Sequence, residues 1–237
     1  MDVPPRSGSG GAHLEVQRLS KVYPGNRGLL PLSFHAAPGE LLAVVGHNGA
    51  GKSTLLKLLA GWLVPDSGSA NVQGHALPDR RALVRQVGFV PETPNLHELF
   101  SVRYNLALFA RLFGLPPERV AQTLETYRLL PYRHSAVRTL SRGLKQRVSI
   151  GRSLLADPPV PLLDEPTAAL DFETTGDIHR LLLRLHEQGK TILFTSHRPE
   201  EIRSLATRIL VLHEGLVAFD GRPDAYFQSP SYQALYT

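Results

Sequence analysis

The run Glu40-Leu41-Leu42-Ala43-Val44-Val45-Gly46-His47-Asn48-Gly49-Ala50-Gly51-Lys52-Ser53-Thr54 sets the architecture of this 237-residue chain. Glu40–Val45 reads as a short apolar strand, Gly46–Gly51 as a glycine-rich turn and Lys52–Leu63 as a helix. Gly46, Gly51, Lys52 and Ser53 stand in the register G-x-x-x-x-G-K-[ST]. Small residues let the backbone curl until successive N–H groups face phosphate oxygens, and the positive end of the helix adds its attraction. The candidate phosphate cradle is therefore Gly46–Thr54, with Asn48, Gly49, Ala50, Gly51 and Thr54 inside it. Lys52 can reach the β- and γ-phosphates, and the Ser53 hydroxyl can ligate Mg²⁺. A chance glycine turn is the alternative, and the strand before and helix after it argue against that reading.

Outward from this stretch, short apolar strands alternate with amphipathic helices, the pattern of an α/β domain. Strands are expected at His13–Tyr23, before a Pro24-Gly25-Asn26 turn, and at Leu32–Ala36, Ser69–Val72 and Gln86–Val90, with a helical stretch near Asp79–Arg85. From Ser101 to Ala156 the apolar spacing turns helical, through Val102, Leu106, Phe109, Val120 and Leu124. Strands return at Val160–Leu163, Thr191–Phe194, Ile209–Leu212 and Leu216–Phe219. Helices are expected at Phe172–Glu187 and Pro199–Leu205.

Two further stretches carry chemistry. Leu162-Leu163-Asp164-Glu165-Pro166 is an apolar strand ending in two acids, at the strand tip where ligands sit in open α/β sheets. There Asp164 can serve the Mg²⁺ shell and Glu165 can polarise an attacking water. Taken alone, the pair reads equally well as a helix cap and a solvated charge. Leu140-Ser141-Arg142-Gly143-Leu144-Lys145-Gln146-Arg147 is a helix start, for which Ser141 as N-cap is the simple explanation.

Composition narrows the classes. Hydrophobic residues make up 42% and charged residues 20%, ordinary for a globular protein. No run approaches the roughly 18 apolar residues that a membrane-spanning helix needs. The absence of cysteine excludes disulfides, thiolate metal sites and cysteine catalysis, and fits a cytosolic setting. The ten histidines lack the i, i+4 spacing of a metal site, and the net charge of +5 comes from dispersed arginines, which weighs against a nucleic-acid partner. Met1–Gly11 has no apolar segment of a secretory signal and reads as a flexible lead-in.

In their order along the chain, the phosphate loop, Leu140–Arg147, Leu162–Pro166, Ala169-Leu170-Asp171 and Ser196-His197 resemble the motifs of ATP-binding cassette (ABC) ATPases from about Leu14 to Gly221. That resemblance implies a P-loop NTPase core of the ABC ATPase type, with an antiparallel β subdomain and an inserted α-helical subdomain at about 93–156. The domain would cover 13–221, between the lead-in at 1–12 and a C-terminal tail at 222–237. It implies ATP and Mg²⁺, with Ser53, Glu92 and Asp164 toward the metal. It also implies a second ABC ATPase subunit, identical or different, paired head to tail. Ser141 and Gly143 of one subunit would then meet the γ-phosphate held by Gly49, Lys52 and Ser53 of the other. His197 would be a switch histidine on the γ-phosphate, and Asp171 would link the two sites. Tyr23 sits where the family places an aromatic on adenine, with a core aromatic as the alternative.

The family powers membrane-spanning permease subunits from the cytoplasmic, inner face of the membrane. The segment Thr93–Tyr104, with Leu96, Leu99, Phe100 and Tyr104, is either the docking surface for them or core. A non-transport ABC ATPase acting on nucleic acid or ribosomes is the second class, but the chain holds one cassette and no coiled-coil or basic insertion. A regulatory module without turnover is the third, and Lys52, Asp164, Glu165 and His197 together argue against it. Two departures are similar to the bacterial ABC-2 type exporter subgroup: Glu92 where Gln is usual, and Leu-Ser-Arg-Gly-Leu-Lys-Gln-Arg for the signature. Pro161, just before Leu162, is expected at a strand beginning, where the missing N–H is tolerable.

Overall fold

Strands covered on both faces read as unbroken apolar runs, and such strands assemble in parallel. Five runs here do so: β3 (Leu41–Val45), β6 (Val87–Val90), β7 (Val160–Leu163), β8 (Ile192–Thr195) and β9 (Arg208–His213). The computed structural model describes residues 13–25, 27–77 and 85–236. The expected lead-in at 1–12, Asn26 and nearly all of the Asp79–Arg85 stretch lie outside them. The five strands and β10 (Leu216–Gly221) form one sheet in the order β10-β9-β3-β8-β7-β6, with β10 antiparallel to β9. Period two is visible in the core: Leu41, Ala43 and Val45 face one apolar cluster, and Leu42 and Val44 face the other.

A second, antiparallel sheet has the order β2-β1-β4-β5, from β1 (Leu14–Tyr23), β2 (Arg27–Ala36), β4 (Ser67–Val72) and β5 (His75–Ala76). Its buried Leu14, Val16, Leu29 and Phe34 join Leu42, Val44 and the apolar side of α1 (Lys52–Leu59) in one cluster. Helix α1 stops short of the expected Leu63. Gly61 N–H bonds to Leu58 O at 2.9 Å and Trp62 N–H to Lys57 O at 2.8 Å, the paired bonds of a Schellman stop.

The inserted segment is helical, as its spacing predicts: α2 (Val102–Leu112), α3 (Glu118–Thr126) and α4 (Arg142–Ser153), with single 3₁₀ turns at Leu130–Tyr132 and Val137–Thr139. Ser101 caps α2 by accepting the Tyr104 N–H at 3.1 Å. Val102, Leu106, Val120, Leu124 and Val148 share a cluster with Val90 and Leu163, so this segment and the parallel sheet bury one continuous core. The remaining helices are α5 (Phe172–Glu187), α6 (Pro199–Leu205), α7 (Pro223–Phe227) and α8 (Pro230–Tyr236).

Pro161 is the second residue of β7, at the strand beginning as expected, although β7 lies between β6 and β8. It is accommodated because the β8 ladder begins one residue later, at Leu162 opposite Leu193. Residues 222–236, expected as a C-terminal tail, pack against the domain. Tyr226 is fully buried, ringed by Phe219, Phe227 and Tyr232, and the Arg203 guanidinium lies 3.9 Å from the Phe227 ring centre. Aromatic area of this size buried against β10 anchors the segment.

Candidate functional site

Parallel strands bring all their C-terminal ends to one edge of the sheet, and the loops that leave four of them carry expected site residues. β3 runs into Gly46, β6 into Pro91-Glu92, β7 into Asp164-Glu165, and β8 into Ser196-His197. They open onto a cleft of about 510 Å³ lined by Tyr23, Asn48, Lys52, Glu92, Glu165 and His197 among others. That is the size of a small-molecule site. Tyr23 is exposed at the wall of this cleft, which removes the core-aromatic alternative.

The phosphate loop packs tightly against the antiparallel sheet. Gly51 begins α1 with φ of +103°, and a Cβ there would lie 2.7 Å from Gly28 O, so glycine is required on both counts. Lys52 is buried, and its Nζ donates to Gly46 O at 2.6 Å and His47 O at 3.2 Å. Burial lowers the pKa of the ammonium, against the opposing pull of Glu165, Asp164 and Glu92. A polyphosphate entering the loop would bring the negative charge that this buried cation lacks.

At the tip of β7, Asp164 is 3% exposed. Thr195 Oγ1 donates to Asp164 Oδ1 at 2.9 Å and accepts the Glu165 N–H at 2.7 Å, so one hydroxyl from β8 fixes both acids. Thr195 was missed by reading the sequence, where it is only the last residue of an apolar strand. Glu165 takes φ of +47°, outside the usual range for a side-chain-bearing residue. Its carboxylate accepts from His197 Nδ1, at 3.2 Å to Oε1 and 3.1 Å to Oε2. A carboxylate oriented by an imidazole at the mouth of a phosphate cleft can act as a general base toward water.

No group of three or more His, Cys, Asp or Glu residues able to hold a metal occurs among the described residues. Mg²⁺ is typically held by one or two carboxylates together with substrate phosphates and waters. Ser53 and Glu92 lie at the cleft and Asp164 is buried beside it.

The sequence profile of the family described as ABC transporter matches residues 29–168. The chain belongs to the ABC transporter family. It is 39% identical over 223 residues to the Nod factor export ATP-binding protein I of Paraburkholderia xenovorans, covering 92% of this chain and 73% of that protein. A solved ATP-binding subunit of an ABC transporter superposes with a TM-score of 0.83 at 30% identity, over 94% of this chain and 97% of that one. A dimeric cassette in a post-hydrolysis state, bound to ADP and phosphate, superposes with a TM-score of 0.80 at 27% identity, over 89% and 98%. The chain is thus an ATP-binding and ATP-hydrolysing subunit of an ABC transporter.

Three expected ABC site residues stand apart from the cleft. Ser141 is the exposed N-cap of α4, accepting the Leu144 N–H at 3.3 Å. Asp171 is the exposed N-cap of α5, accepting from Thr174 N–H at 2.8 Å and Thr174 Oγ1 at 2.9 Å. Those bonds, the backbone one first, hold its carboxyl below the usual carboxylate range. Gly143 lets the two helix starts meet, since a Cβ on it would lie 2.6 Å from Thr174 Cγ2 and 2.8 Å from Thr174 Oγ1. Gly143→Val should displace Thr174 and cost roughly 1–3 kcal/mol by overpacking. Urea titration with circular dichroism would measure it, and unchanged stability would refute the packing role.

The Thr93–Tyr104 segment divides between its two readings. Leu96 packs against the core, whereas Leu99 is 77% exposed, and Phe100 and Tyr104 stack on each other at the surface, 4.3 Å apart. Among the described residues, no helix is long and apolar enough to cross a membrane.

Proposed function

We propose that this subunit drives export. Paired head to tail with a second ATPase subunit, it would act on separate membrane-spanning permease subunits from the cytoplasmic side, as a peripheral protein at the inner face of the membrane. Support for export is the likeness to the Nod factor export ATP-binding protein over nine-tenths of the chain. The hydrolytic roles rest on one observation: the Glu165–His197 contact at the cleft that also holds Lys52.

In this reading Tyr23 stacks on adenine and Gly46–Thr54 wraps the phosphates, with Lys52 on the β- and γ-phosphates. Glu165 takes the proton from the attacking water, and His197 orients Glu165 and approaches the γ-phosphate. Mg²⁺ would be held by Ser53, Asp164 and Glu92, and would neutralise the phosphate charge. Ser141 and Gly143 serve the cleft of the partner subunit: Ser141 is exposed at a helix N-terminus, which suits an anion, Gly143 is buried in the first turn of that helix, and neither lines its own chain's cleft. Asp171 connects the two sites. Leu99, Phe100 and Tyr104 form the permease contact, being large apolar side chains gathered on one exposed segment. Residues 13–221 make the ATPase domain, with about 93–156 as its helical subdomain.

Affinity purification from detergent-solubilised membranes tests the assignment. A multi-span membrane protein should come down with the tagged chain, and Leu99→Ser with Phe100→Ser should release it. Recovery of ribosomes or DNA in its place would overturn the proposal.

A further inference from the structure

Glu201 lies in the first turn of α6 and is 3% exposed, a rare situation for a carboxylate. A charge survives such burial only when it is well hydrogen-bonded. Three side chains from three segments donate to it: Thr167 Oγ1 to Oε1 at 2.7 Å, His179 Nε2 to Oε1 at 2.8 Å, and Ser196 Oγ to Oε2 at 2.5 Å. Burial alone would raise its pKa. The bonds from His179, Ser196 and Thr167 outweigh that, and the carboxyl titrates below its ordinary value.

The places of these donors give the contact its meaning. Thr167 follows Glu165 by two residues on the loop leaving β7. Ser196 immediately precedes His197, and its Oγ also accepts the Arg198 N–H at 3.1 Å, so both chain neighbours of His197 are tied to one hydroxyl. Glu165 and His197 close the circuit through their own contact. The circuit runs from Glu165 along the chain to Thr167, across Glu201 to Ser196, and back through His197. His179 joins α5, the helix that begins at Asp171, to the same carboxylate.

We infer that Glu201 is a positioning residue for hydrolysis, its carboxylate locking the loop that carries Glu165 to the loop that carries His197. The held geometry includes the left-handed backbone of Glu165, a conformation that persists only when its surroundings enforce it. Reorienting either loop moves the base away from the cleft while the phosphate loop, on β3 and α1, stays in place. The inference rests on Glu165 being the base.

Glu201→Gln tests it. The substitution keeps the volume and one acceptor oxygen, but turns an NH₂ toward a donor that needs an acceptor. The expected result is a kcat about 10- to 100-fold lower per folded molecule, the scale of a displaced catalytic group. The KM for ATP should stay within about twofold, since binding is made elsewhere. A role confined to stability would lower the melting temperature and leave kcat per folded molecule intact, and that result overturns the inference. If Glu201→Gln does not fold, Ser196→Ala and Thr167→Val each remove one donor. Both should lower kcat at constant KM, and wild-type kcat in both would equally overturn it. Glu165→Gln run beside them separates the two readings. If Glu165→Gln hydrolyses normally, the base assignment fails. If Glu165→Gln is inactive while Glu201→Gln turns over normally, only the positioning role fails.

Discussion

Glu165→Gln should reduce ATP hydrolysis by at least about 10²-fold, the scale of losing a general base, while ATP binding is retained. Glutamine keeps the shape and can still contact His197 Nδ1 through its amide oxygen, so the cleft wall should be preserved. What it removes is the ability to take a proton from water. Without hydrolysis, ATP-bound pairs should accumulate, visible as an ATP-dependent shift to dimer in size-exclusion chromatography. Hydrolysis at the wild-type rate would remove Glu165 from the mechanism.

Lys52→Met should weaken nucleotide binding itself. Its ammonium makes charge-assisted contacts with phosphate, each worth roughly 1.5–3 kcal/mol, so nucleotide affinity should fall on the order of 10²-fold. A fluorescent ATP analogue would read it. The nucleotide-free protein should lose little stability, because burial already disfavours the lysine cation and methionine fills the same space. The two variants therefore separate by assay: Glu165→Gln keeps binding and loses hydrolysis, whereas Lys52→Met loses affinity.

Much of this was legible in the sequence because the signals are local. The expected bounds of the helices at Phe172–Glu187 and Pro199–Leu205 agree with α5 and α6, each of which has a clear start: Asp171 as an N-cap and Pro199 at the first position. The parallel strands announced themselves as unbroken apolar runs. Helix α1 ends before the expected Leu63 because Gly61, at φ of +68°, takes the left-handed conformation that stops a helix. Pro161 was expected at a strand beginning and is found there, but that β7 is interior could not be read, because sequence does not give strand order.

The candidate site followed the same division. Lys52, Asp164 and Glu165 sit in short motifs whose residue types suggest a role, and His197 takes its role from the resemblance to ABC ATPases. Thr195, His179 and Glu201 sit in no such motif, and their importance comes from contacts spanning 22 to 34 residues. The segment after 221 was read as an aromatic-bearing tail, and its aromatics converge on buried Tyr226.

By itself the sequence determined the phosphate loop, the acidic strand end and the α/β alternation, since backbone geometry and spacing are local properties. Only the tertiary structure decided that four strand ends meet at one cleft and that Ser141 and Asp171 face elsewhere. It also placed a buried glutamate where it joins the loop carrying Glu165 to the loop carrying His197. The reason is physical: hydrogen bonds and burial act through space, and residues distant in the chain become neighbours only once the sheet order is set.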